Sequence, residues 1–356
     1  MERILENTNI QKPSFRDRGI PKRKSIDLQG ENLVKTDFLN CEKSFPLVIQ
    51  PTIDGLNLIH WVGNNKEFLE SNLLKHGAIL FRNFGNQAVE DFERFIQTAS
   101  GQLLDYTYRS TPRQRVGGNV FTSTEYPPEM SIFLHNENSY SRNWAMKLFF
   151  LCVRSAESGG ETPIADSRTI YEQIDVEIRE RFSRKKVMYV RNYGSDVDLS
   201  WQNVFQTESK AEVEEYCRRA DMSFEWLGNE RLRTRQICQS VAAHPKTGKM
   251  VWFNQANLFH VSSLPLEIQN SLLASYAEEF LPRNVYFGDG ERIEASVIEH
   301  INQVYSREMV SFPWQKGDIL MLDNMLMAHG RNPFTGQRKI VVGMAEPFSN
   351  EIFSLD

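Results

Sequence analysis

Ile319-Leu-Met-Leu-Asp-Asn-Met-Leu-Met-Ala-His-Gly-Arg331, continued by Lys339-Ile-Val-Val342, is the stretch that decides the fold. Residues 319–322 and 339–342 are apolar runs too short for core helices and rich in strand-favouring side chains, so both read as buried strands. The same signal recurs toward the N-terminus. Lys147-Leu-Phe-Phe-Leu-Cys-Val-Arg154 is closed by the turn residues Ser158-Gly159-Gly160, and further strands read at 250–254, at 187–190 and, after the Gly77 break, at 78–81. Helices fill the intervals. Val89, Phe92, Phe95 and Ile96 stand at helical spacing with Gly101 just past them. Other helical segments read at about 168–183, from Pro265 through Leu266, Leu272, Leu273, Tyr276 and Phe280, and at about 293–305. Residues 103–134 read as a polar, turn-rich loop. The expected fold is mainly β with flanking helices (α+β): an antiparallel double-stranded β-helix, closed as a jelly-roll or cupin-like barrel.

The organisation expected is a partly ordered, basic arm at 1–45 followed by one domain at 46–356, with a charged helical insert at about 195–235. With 40% hydrophobic and 24% charged residues the chain can bury a sizeable core. A net charge of −5 gives no general attraction to phosphate backbones, which argues against nucleic acid as a partner. Cys41, Cys152, Cys217 and Cys238 are widely spaced, so neither a disulfide framework nor a zinc site is indicated. No apolar stretch has the length of a signal peptide core or a membrane span, and a soluble, cytoplasmic protein is expected.

Within the regions of strand character, His135-Asn136-Glu137 is answered far downstream by His329. A His and a carboxylate two apart on an extended segment face the same way and can grip one ion. A second His completes a two-His, one-carboxylate set, which leaves three cis positions open and suits a non-haem Fe(II) oxygenase. Arg338, nine residues beyond His329 at the head of a β-branched strand, could clamp a carboxylate in bidentate fashion, as an α-keto acid bound to iron requires. Thr162, after the Gly159-Gly160 turn, could add a hydroxyl to the same anion. The plainer alternatives are a surface hydrogen-bonded pair for His135 and Glu137 and a backbone-capping turn hydroxyl for Thr162.

The segments Leu74-Lys-His-Gly-Ala-Ile-Leu-Phe-Arg82, His135-Asn-Glu-Asn-Ser139, Glu157-Ser-Gly-Gly-Glu-Thr162, Trp252-Phe-Asn-Gln-Ala256 and Gly317 through Arg338 resemble the TauD/TfdA superfamily of Fe(II)- and 2-oxoglutarate-dependent dioxygenases. The His-x-Glu form and the His-Gly-Arg-x-Pro-Phe-x-Gly-x-Arg ending look like its SyrP-like and clavaminate-synthase-like branch, over roughly residues 70–347. The resemblance implies iron on His135, Glu137 and His329, the distal carboxylate of 2-oxoglutarate on Arg338 with help from Thr162, and O2 as the oxidant. Two departures stand out. The carboxylate is Glu where much of the superfamily has Asp, and the gap to Arg338 is short, so Arg331 competes for the anchoring role. A filled carboxylate position implies hydroxylation rather than halogenation.

The branch further implies an amino acid or aminoacyl substrate in a nonribosomal peptide or other natural-product pathway, with a peptidyl carrier protein as the expected partner and a free amino acid as the alternative. The charges of the insert (Lys210, Glu212, Glu214, Glu215, Arg218 and Arg219) read either as a surface that receives such a partner or as a solvated helix. Arg109, Arg113, Asn119 and Asn254 are the candidate substrate-pocket residues, though each arginine alone equally fits a solvated loop. His60, His76, His244 and His300 read as structural or surface histidines, while His260 stays open between fold and pocket. A zinc hydrolase would use the same three ligands without an anion clamp. A non-catalytic jelly-roll binder would need no ligands at all.

Overall fold

A computed structural model describes residues 33–350 apart from 86–87, 106–107, 109–112, 124–125, 195–197 and 229. Its main sheet has eight strands in the order Val34–Phe38, Leu47–Pro51, Ala78–Phe81, Ile319–Asp323, Asn143–Arg154, Lys339–Ser349, Val120–Thr122 and Arg115–Gly117. The central strands pair antiparallel in the register Leu320↔Phe150 and Val341↔Leu151. The antiparallel expectation fails at one pair: Leu47–Pro51 runs parallel to Ala78–Phe81. Helices Leu58–Asn64 and Lys66–His76 lie between those two strands and supply the long crossover a parallel pair requires. Gly77 ends the second helix in the left-handed region (φ 72°), and a Cβ there would stand 2.7 Å from the Met327 side chain.

The sheet is covered on both faces, which is why its strands read as unbroken apolar runs. Phe149, Leu151, Met321 and Val341 pack with Phe92, Phe95 and Ile96 of helix Val89–Ser100. Their alternating neighbours Leu148, Phe150, Leu320, Leu322 and Val342 face the other way, onto Ile164, Phe312, Trp314 and Met327. That second layer is the inside of a jelly roll. Its opposite wall is a three-stranded sheet in the order Ile132–His135, Met327–Arg331, Ile164–Asp166.

A four-stranded sheet, in the order Ser223–Leu227, Arg231–Cys238, Val187–Tyr193, Arg283–Phe287, flanks the barrel. The insert expected to be helical therefore contributes only Trp201–Phe205 and Lys210–Arg219 as helices and is strand beyond them. Val34–Phe38, placed by sequence in the arm, pairs with Leu47–Pro51 as the edge of the main sheet, and residues 1–32 of that arm lie outside the described residues. Helix Leu266–Ser275 buries none of its side chains, and Leu266, Ile268 and Leu273 are exposed. No helix among the described residues is long and apolar enough to cross a membrane.

Candidate active site

His135 closes the strand Ile132–His135, and His329 lies directly opposite it on Met327–Arg331. Their rings are 4.6 Å apart between centroids. Gly330 permits this close pairing, because a Cβ there would meet the Ile132 carbonyl oxygen at 2.6 Å. Glu137 is not on the strand but in the turn after it, where Asn138 has φ 57°. The turn still brings its carboxylate to the histidines: one ligand atom from each of His135, Glu137 and His329 lies within 4.8 Å of the others. His329 Nε2 is 3.9 Å from Glu137 Oε2.

The local chemistry suits a metal. Burial lowers the pKa of His135 and, reinforced by the neighbouring His135 ring and the Arg113 charge, pushes His329 well below its ordinary value, which favours the neutral imidazoles whose lone pairs a metal takes. His135 Nδ1–H donates to the Phe133 carbonyl at 2.8 Å, which fixes the tautomer with the lone pair on Nε2. His329 turns Nε2 toward Glu137, and its Nδ1 is buried without a hydrogen-bond partner among the described residues. Two neutral imidazoles and one carboxylate form a donor set that fits Fe(II).

The sequence did not single out Asn324, which holds the turn. Its Oδ1 accepts from Glu137 N–H at 2.7 Å, and its Nδ2 donates to the carbonyls of Glu137 (2.9 Å) and Ala145 (2.8 Å). Asn136 Nδ2 donates to the Asn324 carbonyl at 2.6 Å, and Gln255 Nε2 donates to the Asn136 carbonyl at 2.8 Å. The backbone between the first two ligands is thus gripped by buried amides.

Next to the histidines a narrow cavity is lined by Thr162, Arg338, Arg331, Arg113 and Phe150. Trp314 Nε1 donates to Thr162 Oγ1 at 3.1 Å, which occupies the oxygen as acceptor and turns its proton toward other acceptors. Arg338 Nε donates to the Gly160 carbonyl at 2.8 Å, and no carboxylate among the described residues lies within ion-pair distance of it. Burial, with the Arg331 charge adding to it, pushes this guanidinium down to about 10. A desolvated cation of this kind gains from an anion. Arg331 is employed otherwise: Nη1 donates to Tyr126 O and Nη2 to Pro127 O and Met130 O, so it ties down the loop at the cavity rim.

A larger cleft of about 880 Å³ is lined by both His135 and Glu137. Arg113, expected in the substrate pocket, lines both spaces, and its Nη2 also donates to Glu137 Oε2 at 2.7 Å. Two other candidates are not in the cleft. Asn119 donates to the Leu103 carbonyl beside the Gly118 turn, and Asn254 donates to the Ser240 carbonyl and accepts from Ala256 N–H. Gln255, next to Asn254, lines the cleft in its place, while the Asn254 amide is engaged by Ser240 and Ala256. Arg109 lies outside the described residues. His260 does line the cleft, although Ser262 Oγ and the Ile293 carbonyl occupy its two nitrogens.

The charges of the insert are neutralised locally. Lys210 pairs with Glu230, Arg218 with Glu214 and Glu215, and Arg219 with Glu215, while Glu212 accepts from Thr207. This is the pattern of a solvated helix.

Comparison with known proteins adds independent findings. Residues 44–344 match the family described as taurine catabolism dioxygenase TauD, TfdA family. The dapdiamide synthesis protein DdaC of Enterobacter agglomerans is 40% identical over 279 residues, 78% of this chain and 85% of that protein. A clavaminate synthase-like protein of Arabidopsis thaliana is 30% identical over 327 residues, 85% and 94% of the two chains. Among solved structures PvcB, described as an Fe, alpha-ketoglutarate dependent oxygenase from an isonitrile synthetic pathway, superposes with a TM-score of 0.54 at 14% identity, covering 90% of this chain and 96% of its own. That last likeness concerns the fold.

Proposed function

The chain belongs to the TauD/TfdA family of dioxygenases, and we propose that within it His135, Glu137 and His329 hold iron while Arg338 and Thr162 hold the distal carboxylate of 2-oxoglutarate. The enzyme class is that of the Fe(II)- and 2-oxoglutarate-dependent dioxygenases, with iron as cofactor and 2-oxoglutarate and O2 as co-substrates. When bound, the metal and co-substrate supply the oxidising power for attack on an unactivated C–H bond, with succinate and CO2 as co-products.

The protein's own part is positioning. Phe133 and Asn324 fix the His135 ring and the Glu137 backbone, so the ligand set is ordered before an ion arrives. The Arg338 fork gives directional charge and the Thr162 hydroxyl a single donor, a pairing suited to one carboxylate. Arg331 closes the rim by holding residues 126–130, and Phe150, Ile340 and Val342 keep the anion pocket apolar elsewhere. The observation that carries this reading is the juxtaposition: the two histidines of a metal-competent cluster and a half-buried arginine with no carboxylate partner among the described residues line one cavity. An iron-free hydrolase or a passive binder would have no use for that arginine.

For the reaction we infer hydroxylation of an amino acid or aminoacyl group in a natural-product pathway, supported by the relative named for dapdiamide synthesis and by Glu137 filling the carboxylate position. The carrier-bound form of the substrate is favoured by size and surface rather than by charge. A cleft of about 880 Å³ is near the top of the ~300–1,000 Å³ range of small-molecule sites. The unburied apolar helix Leu266–Ser275 contributes Ile268 and Leu272 to its mouth. Anaerobic addition of Fe(II) and then 2-oxoglutarate should produce a weak visible charge-transfer band, lost in His329→Ala. Intact-mass analysis of amino acids, free and loaded on a carrier protein, should then show a gain of one oxygen. Absence of the band from the wild type would defeat the ligand assignment, and turnover of free amino acids alone would defeat the carrier.

A further inference from the structure

The cleft wall is mostly apolar, with Leu199, Leu258, Phe259, Val261 and Leu281 among its lining. Of the charged residues in it, Asp198, Arg283 and Glu129 belong neither to the metal triad nor to the anion cavity, and the first two are paired with each other. They form a two-pronged pair, Arg283 Nε to Asp198 Oδ2 at 2.5 Å and Nη2 to Oδ1 at 2.6 Å, with side chains 28% and 9% exposed. Asp198 Oδ1 also accepts from Leu199 N–H at 2.7 Å. Arg191 lies directly across the strand pair from Arg283. Burial alone would raise the Asp198 pKa, but Arg283 and Arg191 hold it below the ordinary value, so the carboxylate is charged. The Arg283 guanidinium also sits 5.6 Å from the Phe259 ring centroid, which fixes its plane along the wall.

We propose that Asp198 and Arg283 form the head-group subsite of the cleft, Asp198 receiving the α-ammonium of the substrate and Arg283 its neighbouring carboxyl or thioester carbonyl. This rests on the reading of the cleft as the substrate chamber. A carboxylate has about four lone-pair sites and can accept from an ammonium while still paired with arginine. A buried ion pair is weak support for stability, since its desolvation offsets much of its attraction. Beside the apolar stretch of wall formed by Leu199, Leu258, Phe259 and Leu281 it acts instead as a fixed dipole whose two ends match the two ends of an α-amino acid. The rest of the substrate is then left to reach the triad from the apolar side. The same chemistry reaches the site either as a free amino acid or as an aminoacyl thioester, and in both the ammonium is the constant feature.

The test is binding without turnover, by calorimetry on the full chain with Mn(II) and 2-oxoglutarate. The probes are the proteinogenic L-amino acids as free acids, as pantetheine thioesters and as N-acetyl derivatives of both. The proposal expects at least one amino acid to bind in free or thioester form, with its N-acetyl counterpart weaker by on the order of 10- to 100-fold, the loss of a charge-assisted hydrogen bond. Asp198→Asn should erase that difference. Arg283→Gln should weaken the free acid strongly and the thioester much less, which identifies the source. A purely structural pair would weaken every probe alike and lower the melting temperature. That result overturns the proposal, as do equal affinities of amino and N-acetyl probes for the wild type, or no probe binding at all. The wild-type comparison stands even where a variant fails to fold. Failure of Mn(II) or 2-oxoglutarate themselves to bind would instead fault the ligand assignment.

Discussion

Replacing Asn324 by alanine tests whether Glu137, the proposed metal carboxylate, is held in place by the fold before any metal binds. The Asn324 side chain is fully buried, and its three hydrogen bonds end on Glu137 N–H, Glu137 C=O and Ala145 C=O. Truncation strands three buried backbone groups, each costing about 1–3 kcal/mol when left unmet. Water entering the vacated space relieves part of this, so the loss in folding free energy should be roughly 3 kcal/mol, within the 5–15 kcal/mol typical of a domain. The larger consequence is local. With the Glu137 turn released, metal binding must order it, at about 1–2 kcal/mol per residue, which agrees with the 10–100-fold loss usual for residues that orient metal ligands. Asn324→Asp should be worse than Ala, since it sets an oxygen against the Glu137 and Ala145 carbonyls. The assays are urea melts and Mn(II) titration followed by electron paramagnetic resonance. A folded Asn324→Ala variant binding Mn(II) within about twofold of the wild type would refute the reasoning, because Glu137 would then need no support.

Arg338→Ala should raise the 2-oxoglutarate dissociation constant by a loss of ~2–5 kcal/mol, while Arg331→Ala should lower the melting temperature and spare that constant; the reverse pattern in calorimetry would exchange their roles. Arg113→Gln removes the partner of Glu137 (2.7 Å, both side chains nearly buried), so the metal-free protein should lose about 3–5 kcal/mol and the metal-loaded protein less. Mn(II) should therefore raise the melting temperature of Arg113→Gln more than that of the wild type, and equal shifts would count against the pairing. His135 and His329 have folded-state pKa values below the ordinary 6.5, so as pH falls through that value the unfolded chain takes up protons that the folded chain refuses. Stability of the metal-free protein should consequently drop between pH 7.5 and 5.5, with a flatter slope in His329→Gln; identical slopes would show that neither ring carries the effect.

The strands were legible because burial on both faces writes itself as an uninterrupted apolar run: Leu148 and Phe150 face the barrel, while Phe149 and Leu151 face the helices. The clustering of His135, Glu137 and His329 was legible because few residue types can ligate a metal, even though the His135–His329 pairing joins distant strands. Charge misled the reading of the insert. Arg231, Arg233 and Arg235 alternate with Leu232 and Thr234 in a period of two, and that strand signal was overridden by a composition that suggested a helix. Asn254 stands outside the cleft lining for a local reason, since its amide oxygen accepts from Ala256 N–H and its neighbour Gln255 takes the wall. Asn324 and the Asp198–Arg283 pair had no local signal, because each acts on a partner 85 or more residues away.

The choice between Arg331 and Arg338 shows what sequence spacing leaves out. Both are arginines beyond the same histidine, and either could reach the cavity. A buried cation acts on a ligand only if the fold has not already answered its charge or its donors. Arg82 is answered by Asp318 at 2.6 Å, and Lys147 by Glu70 and Glu346, each at 2.6 Å. Three carbonyls answer Arg331. Arg338 has one carbonyl at 2.8 Å and a 3.4 Å contact with Ser123 Oγ, and pays its desolvation beside a threonine whose oxygen is already engaged as an acceptor. What favours it as the proposed anion anchor is how few partners the described residues give it, a property of packing that no distance along the chain encodes.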